Sequence, residues 1–416
     1  MLWIFHRIFS RKFFIQTLLG IFGALFVVFG IFFVVLYYKF PTTSPFTAIG
    51  DYLYTFSHPH KVMTKDAIAF LPYWRIADTK YTHFDRLSEI IYFSLTVDGD
   101  GSFVTVTDNE TDPGWRWWQS SSIKDLIAKT QISGGKFSLT VGASRNKKIV
   151  QFLSSSSAQN MLIANLKQEV ISRNLDGINL DFEYDGIPDA TLSAAFTAFA
   201  KNLSTSLRAE KPLITLSLDV LPSGGRKPGL LEFAKIQPFF DRFILMTYDY
   251  YGANSEVAGP VAPMQGFKQK KFLLDVSTTV VDYKKLLPKN KLLLGIPYYG
   301  WDWPVEKGAT FMSPTLDQTD ANGYSAVISY GRMRTDRDLV SSQCFFDDLA
   351  QAPWCWYTDR DTKKDHQVWF ENDRSIQKKF DFVEKNNLGG IAIWTLGYDK
   401  QYENLWNLLS SSFSKK

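Results

Sequence analysis

The residues best suited to chemistry lie together in the run Asp176-Gly-Ile-Asn-Leu-Asp-Phe-Glu183. On a strand, alternate side chains share a face, so Asn179, Asp181 and Glu183 point one way and Ile178, Leu180 and Phe182 the other. Asp181 and Glu183 then stand about 6–7 Å apart along the strand. An ionised Asp181 disfavours ionisation of Glu183 and raises its pKa. That suits a general acid, which must hold a proton at working pH and release it to a leaving oxygen. The competing reading is a polar cluster held by structural hydrogen bonds, because buried polar groups are costly unless they bond or react. Five histidines and two cysteines, none in ligand spacing, point to no metal site, and no cofactor is implied.

Such a strand needs a scaffold. Short apolar or β-branched runs recur near 67–74, 89–94, 136–142, 176–183, 213–220, 242–248, 291–298 and 389–395, with amphipathic stretches between them. Met161, Leu162, Leu166, Val170 and Ile171 fall on one helical face, as do Phe196, Phe199, Leu203 and Leu207. Ile376, Phe380 and Val383 form a third stripe, with Gly389 expected to close it. Eight strands alternating with helices predict an α/β fold of the (β/α)8 TIM-barrel type, spanning 66–410. In that fold the apolar set of the fourth strand packs under helices, the polar set faces the lumen, and Glu183 reaches the catalytic rim. A doubly wound open sheet is the alternative, but no glycine-rich phosphate loop follows the first strand. The gap between strands seven and eight is unusually long, so 302–366 is expected to be an inserted subdomain.

The 176–183 run resembles the D-x-x-D-x-D-x-E signature of glycoside hydrolase family 18, the chitinases and related endo-N-acetylglucosaminidases. It departs at Asn179, which stands at the middle aspartate position. The resemblance continues in order. Met246-Thr-Tyr-Asp249 with Gly252 looks like M-x-Y-D-x-x-G, Gly295-Ile-Pro-Tyr-Tyr-Gly300 like G-x-P-x-Y-G, and Gly389-Gly-Ile-Ala-Ile-Trp394 like the terminal strand. Thr140-Val-Gly142 is a looser match to S-x-G-G, and the long insert over 302–366 matches the place where many members carry a small α+β subdomain. The family's mechanism is substrate-assisted. Carried over, it makes Glu183 the acid that protonates the glycosidic oxygen, while Asp181 holds the substrate's acetamido N–H and Tyr248 its oxygen. The resemblance also assigns substrate contact to Asn179, Met246, Asp249, Trp394, Tyr299 and Tyr73, with Trp394 as an apolar floor; Trp301, an aromatic face on the loop after strand seven, is expected to be a further sugar contact. Asp176 and Gly177 are structural members of the motif. Trp394 as core, Tyr248 as lumen filler and Asp249 as a loop cap are the bland readings. The implied activity is retaining hydrolysis of a β-linked N-acetylglucosamine polysaccharide: chitin, peptidoglycan or a related surface glycan. An inactive sugar-binding protein of the same fold is the alternative, although such relatives usually lose the acid or its aspartate partner.

The chain has 416 residues, 45% hydrophobic and 21% charged, with a net charge of +4. No Lys/Arg stripe tracks phosphates, so no nucleic-acid partner is expected. Residues 13–38 carry no charge. As a helix they reach about 39 Å against a hydrocarbon core of about 30 Å. A cleaved signal would be shorter with a small-x-small site, and a core helix would rarely be so apolar. Arg7, Arg11 and Lys12 before the segment predict that 1–12 stay in the cytoplasm. That makes the chain a single-pass membrane protein, with a Pro/Thr/Ser-rich linker over 39–65 and an extracytoplasmic barrel expected to be monomeric. Cys344 and Cys355 would be free to pair outside the cell, though spacing alone leaves two thiols equally open.

Overall fold

A computed structural model describes residues 2–39, 50, 53, 59–226, 229–266, 274–340 and 342–415. Most of the linker expected over 39–65 lies outside them. Helix α1 (Leu2–Lys39) contains the apolar window Phe14–Phe32, 19 residues of mean hydropathy 2.3 with none of it buried. That window is long and apolar enough to cross a membrane.

The scaffold is a closed parallel barrel. Its first seven strands are β1 (Asp66–Pro72), β2 (Glu89–Thr96), β3 (Lys136–Ala143), β4 (Gly177–Phe182), β5 (Thr215–Val220), β6 (Arg242–Leu245) and β7 (Leu292–Pro297). Five antiparallel strands follow: β8 (Tyr299–Val305), β9 (Ala326–Ser329), β10 (Gln343–Asp347), β11 (Ala352–Thr358) and β12 (Asp365–Trp369). Strand β13 (Gly390–Trp394) then closes the barrel, pairing with β1 on one side and β7 on the other. This is the (β/α)8 architecture, interrupted by one sheet in the order β9-β8-β12-β11-β10.

The sixth strand is shorter than its apolar run suggested. It stops at Leu245, because the N–H groups of Thr247 and Tyr248 bond back to the carbonyls of Leu245 and Met246 instead of to a neighbouring strand. The first strand likewise ends at Pro72, after which Tyr73–Tyr81 forms a 3-10 helix.

Helices α2 (Ser121–Ile132), α3 (Ser156–Arg173), α4 (Ala190–Glu210), α5 (Val276–Lys284), α6 (Asp373–Lys385) and α7 (Asn404–Phe413) accompany the strands. On α3, Leu162, Leu166 and Val170 are buried, whereas Met161 and Ile171 face outward. They sit beside the stripe, not on it. On α4 the stripe Phe196, Phe199, Leu203 and Leu207 is wholly buried. Helix α6 does not close on Gly389. It ends at Lys385, and Asn387 takes the left-handed conformation at φ +50. Asparagine tolerates that region through its short polar side chain, which leaves Gly389 to open the strand.

The lumen has two halves. Ile68, Phe70, Ile91, Ile244, Leu293 and Ala392 form an apolar cluster contributed by β1, β2, β6, β7 and β13. Strands β3, β4 and β5 instead send in Ser138, Thr140, Asn179, Asp181, Ser217 and Asp219, all buried. At the base, Glu89 bonds Ser138 and Arg242, and Arg242 Nε reaches Asp66 Oδ2 at 2.8 Å. A buried carboxylate is stable there because a cation and a hydroxyl satisfy it. In the insertion, Cys344 and Cys355 face each other across β10 and β11 and are joined by a disulfide.

Candidate active site

The entry to β4 is tightly specified. Helix α3 ends at Arg173, Asn174 reverses the chain at φ +54, and the Leu175 N–H bonds the Val170 carbonyl. Asp176 then ties the strand's base to its surroundings. Its Oδ2 accepts from the Phe137 N–H at 3.0 Å and from Gln131 Nε2 at 2.9 Å, while Lys211 Nζ lies 3.3 Å from Oδ1. Gly177 is a steric requirement. A Cβ there would stand 2.4 Å from Ser138 Oγ and 2.8 Å from the Thr215 carbonyl oxygen. Both members of the motif therefore hold the strand, and neither lines the two cavities described below.

Above this base the side chains alternate as the pattern demands. Asn179 is fully buried, Asp181 is 8% exposed, and Glu183 is half-buried at the mouth. Burial and the charge of Glu183 push the Asp181 carboxyl up to about 7. Burial also raises Glu183 above the ordinary carboxylate range. The pair therefore retains a proton near neutral pH, and the proton is not confined to Glu183 as spacing alone suggested.

A cavity of about 450 Å³ opens over these two acids. Its floor is Trp394, packed edge-on against Phe93 at 4.8 Å and tilted against Phe70 at 5.7 Å. Tyr248 stacks beside the indole with ring centroids 6.4 Å apart and planes at 25°. Gly295 makes room for that ring, since a Cβ there would lie 2.9 Å from Tyr248 Cε1 and 2.4 Å from the Leu245 carbonyl oxygen. Burial, followed by the charges of Asp219, Asp181, Asp249 and Glu183, holds the Tyr248 hydroxyl well above its ordinary pKa. It stays protonated and able to donate. Asp249 lies at the rim with φ +54, and accepts from Tyr299 Oη at 2.7 Å and Trp301 Nε1 at 2.8 Å. A second cavity of about 270 Å³ adjoins the first, sharing Glu183, Asp219, Leu221, Ser223 and Met246, and is bordered further by Tyr184–Ile187, Leu230 and Leu231. Glu183 thus borders both spaces.

Of the residues singled out in the sequence, Asp181, Glu183, Met246, Tyr248, Asp249 and Trp394 line the main cavity. Four others do not. Asn179 lies beneath it and bonds only to neighbouring strands. Tyr299 is buried behind Asp249, and Trp301 turns its indole N–H to the same carboxylate. Tyr73 sits on the 3-10 helix with its ring against Trp74 at 4.7 Å. Asn179 thus bonds beneath Asp181, and Tyr299 and Trp301 hold the Asp249 carboxylate that borders the cavity. Several lining residues escaped the sequence reading, among them Phe70, Phe93 and Asp219. Asp219 was legible in principle, because Thr215, Ser217 and Asp219 alternate with Leu216, Leu218 and Val220 just as the β4 triplet does.

Comparisons with known proteins agree with this geometry. The cortical fragment-lytic enzyme of Bacillus anthracis is 26% identical over 341 residues, 79% of this chain and 68% of that protein. The enzyme of the same name from Bacillus subtilis (strain 168) is 28% identical over 243 residues, 57% of this chain and 49% of that one. The chain thus spans about half to two thirds of these relatives' length. A crystallised chitinase from Rhizomucor miehei superimposes with a TM-score of 0.69 at 22% identity, covering 83% of this chain and 99% of that one. At that identity the likeness speaks for the fold. The family model described as "Glycosyl hydrolases family 18" matches residues 67–399. Because that match covers well over half of the sequence, the chain belongs to glycoside hydrolase family 18.

Proposed function

We propose that this protein is a retaining, substrate-assisted hydrolase of β-linked N-acetylglucosamine polysaccharide, with Glu183 as general acid and base. The observation that carries the reading is the single cavity in which Asp181 and Glu183, both raised in pKa, face Tyr248 and the Trp394 floor. Glu183 protonates the glycosidic oxygen. Asp181 holds the acetamido N–H, and Tyr248 donates to the acetamido oxygen as that oxygen attacks the anomeric carbon. The oxazolinium so formed is opened by water, which Glu183 deprotonates. The apolar face of the sugar rests on Trp394. Chitin, peptidoglycan and related surface glycans all offer this bond. The relatives named for lysis of cortical fragments favour a bacterial wall polymer.

The enzyme works as a monomer tethered by α1, with residues 1–12 in the cytoplasm and the barrel outside. Support for this comes from Arg7, Arg11 and Lys12 ahead of the apolar window, and from the Cys344–Cys355 disulfide, which suits an oxidising exterior. The test is digestion of chitin oligomers, bacterial cell wall and N-glycans with the detergent-solubilised full chain. Product masses identify the bond, and proton NMR of the fresh products reads the anomer. Retained β configuration is expected. Inverted products, or no cleavage of any of the three, would refute the proposal.

A further inference from the structure

Asn179 stands where the family motif carries an aspartate, yet the lumen at this level still holds a third acid. The Asn179 amide is fully engaged. Its Oδ1 accepts from Thr140 Oγ1 at 2.9 Å, and its Nδ2 donates to Ser217 Oγ at 3.0 Å and to Asp219 Oδ1 at 2.9 Å. Asp219, on β5, is 5% exposed and borders both cavities together with Glu183.

We propose that Asp219 is a positioning residue for the reaction, supplying from β5 the carboxyl group that the middle of the β4 motif lacks and sharing protons with Asp181 and Glu183. The inference rests on the assignment of Glu183 as the acid. The titratable groups around Asp219 are Asp181 and Glu183 from β4 and Tyr248 from the segment after β6, with Asp185 and Tyr283 bordering the second cavity. Because Asn179 donates to Oδ1, Oδ2 is left to carry the proton. Burial and the charges of Asp181 and Glu183 hold that proton well above the ordinary carboxylate range, against the opposing bond from Asn179. The three carboxyls titrate as one coupled set, and the set keeps its last proton to higher pH than two carboxyls alone would. Passed on to Glu183, that proton keeps the acid form available further into the alkaline range.

The test exchanges the two side chains. Asp219→Asn keeps the volume and still offers Oδ1 to Asn179, so the fold should survive, as a thermal melt will show. The alkaline limb of its kcat/KM profile should move down by about one pH unit. The double variant Asn179→Asp with Asp219→Asn, which returns the acid to β4, should move the limb back up. A purely structural role would lower activity evenly with pH and would not be rescued this way. Identical profiles for wild type and Asp219→Asn, or no recovery in the double variant, overturn the proposal. Proton binding above the ordinary carboxylate range, counted by potentiometric titration, should fall by about one proton in Asp219→Asn, and an unchanged count also overturns it. That count needs no turnover. A lowered count alongside undiminished hydrolysis by Glu183→Gln would therefore reject the role of Glu183 and leave the proton sharing standing.

Discussion

Trp301 Nε1 donates to Asp249 Oδ1 at 2.8 Å, and through that bond the insertion grips the rim of the barrel. The Tyr299 hydroxyl donates to the same oxygen at 2.7 Å. Both donors stand on β8, and the acceptor lies after β6 in a left-handed conformation, at φ +54, that L-residues adopt at a cost of roughly 1–2 kcal/mol. Two charge-assisted bonds offset that cost. The insertion therefore sets one wall of the cavity without entering it.

Trp301→Phe removes one donor and leaves Tyr299 in place. The loss of a bond worth about 1 kcal/mol should raise KM for a chitin oligomer about fivefold with kcat nearly unchanged. Steady-state kinetics decide it, and a fall in kcat with constant KM would contradict the support role.

Glu183→Gln removes the proton donor while keeping the side chain's size. Hydrolysis should fall by at least about 10²-fold with oligomer binding retained, measured by calorimetry alongside turnover. Undiminished turnover would take Glu183 out of its role.

Stability should depend on pH through Asp181. Its carboxyl is raised to about 7 by burial and by Glu183, against about 3.9 in an unfolded chain. Between those values the folded state binds more protons than the unfolded one. The stabilising contribution is present in full below about pH 4 and is lost as pH rises through about 7. Asp181→Asn, which cannot ionise, should melt well above wild type at pH 8 and close to it at pH 4. Calorimetric melting at both values reads this, and equal gains at the two would argue against a buried, titrating Asp181.

Gly295→Ala tests the seat of Tyr248. The added methyl would meet the Leu245 carbonyl oxygen at 2.4 Å and the tyrosine ring at 2.9 Å. Neither can yield easily, so a loss of about 1–3 kcal/mol in unfolding free energy is expected, with a drop in kcat from the displaced ring. Denaturant titration and kinetics on the same sample check both. A variant as stable and active as wild type would show that the ring has room to spare.

The fold was legible because barrel strands carry their instructions locally. The alternation in Asp176–Glu183 assigns each side chain to a face, whatever lies far away in sequence. Chain spacing likewise marked the insertion, because no ordinary loop is so long. The sixth strand's early end escaped notice, since Met246-Thr-Tyr248 is as apolar and β-compatible as the residues before it. What ends it is the local hydrogen bonding of its own backbone.

By itself, then, the sequence determined which acids share a face, the order of the strands and the presence of an apolar helix near the N-terminus. Tertiary structure alone decided which side chains border the cavity and how their protons are held. Asn179 and Asp219 lie 40 residues apart and meet only because β4 and β5 pair in register. A pKa responds to burial and to charges across the lumen, and spacing along one strand contains neither.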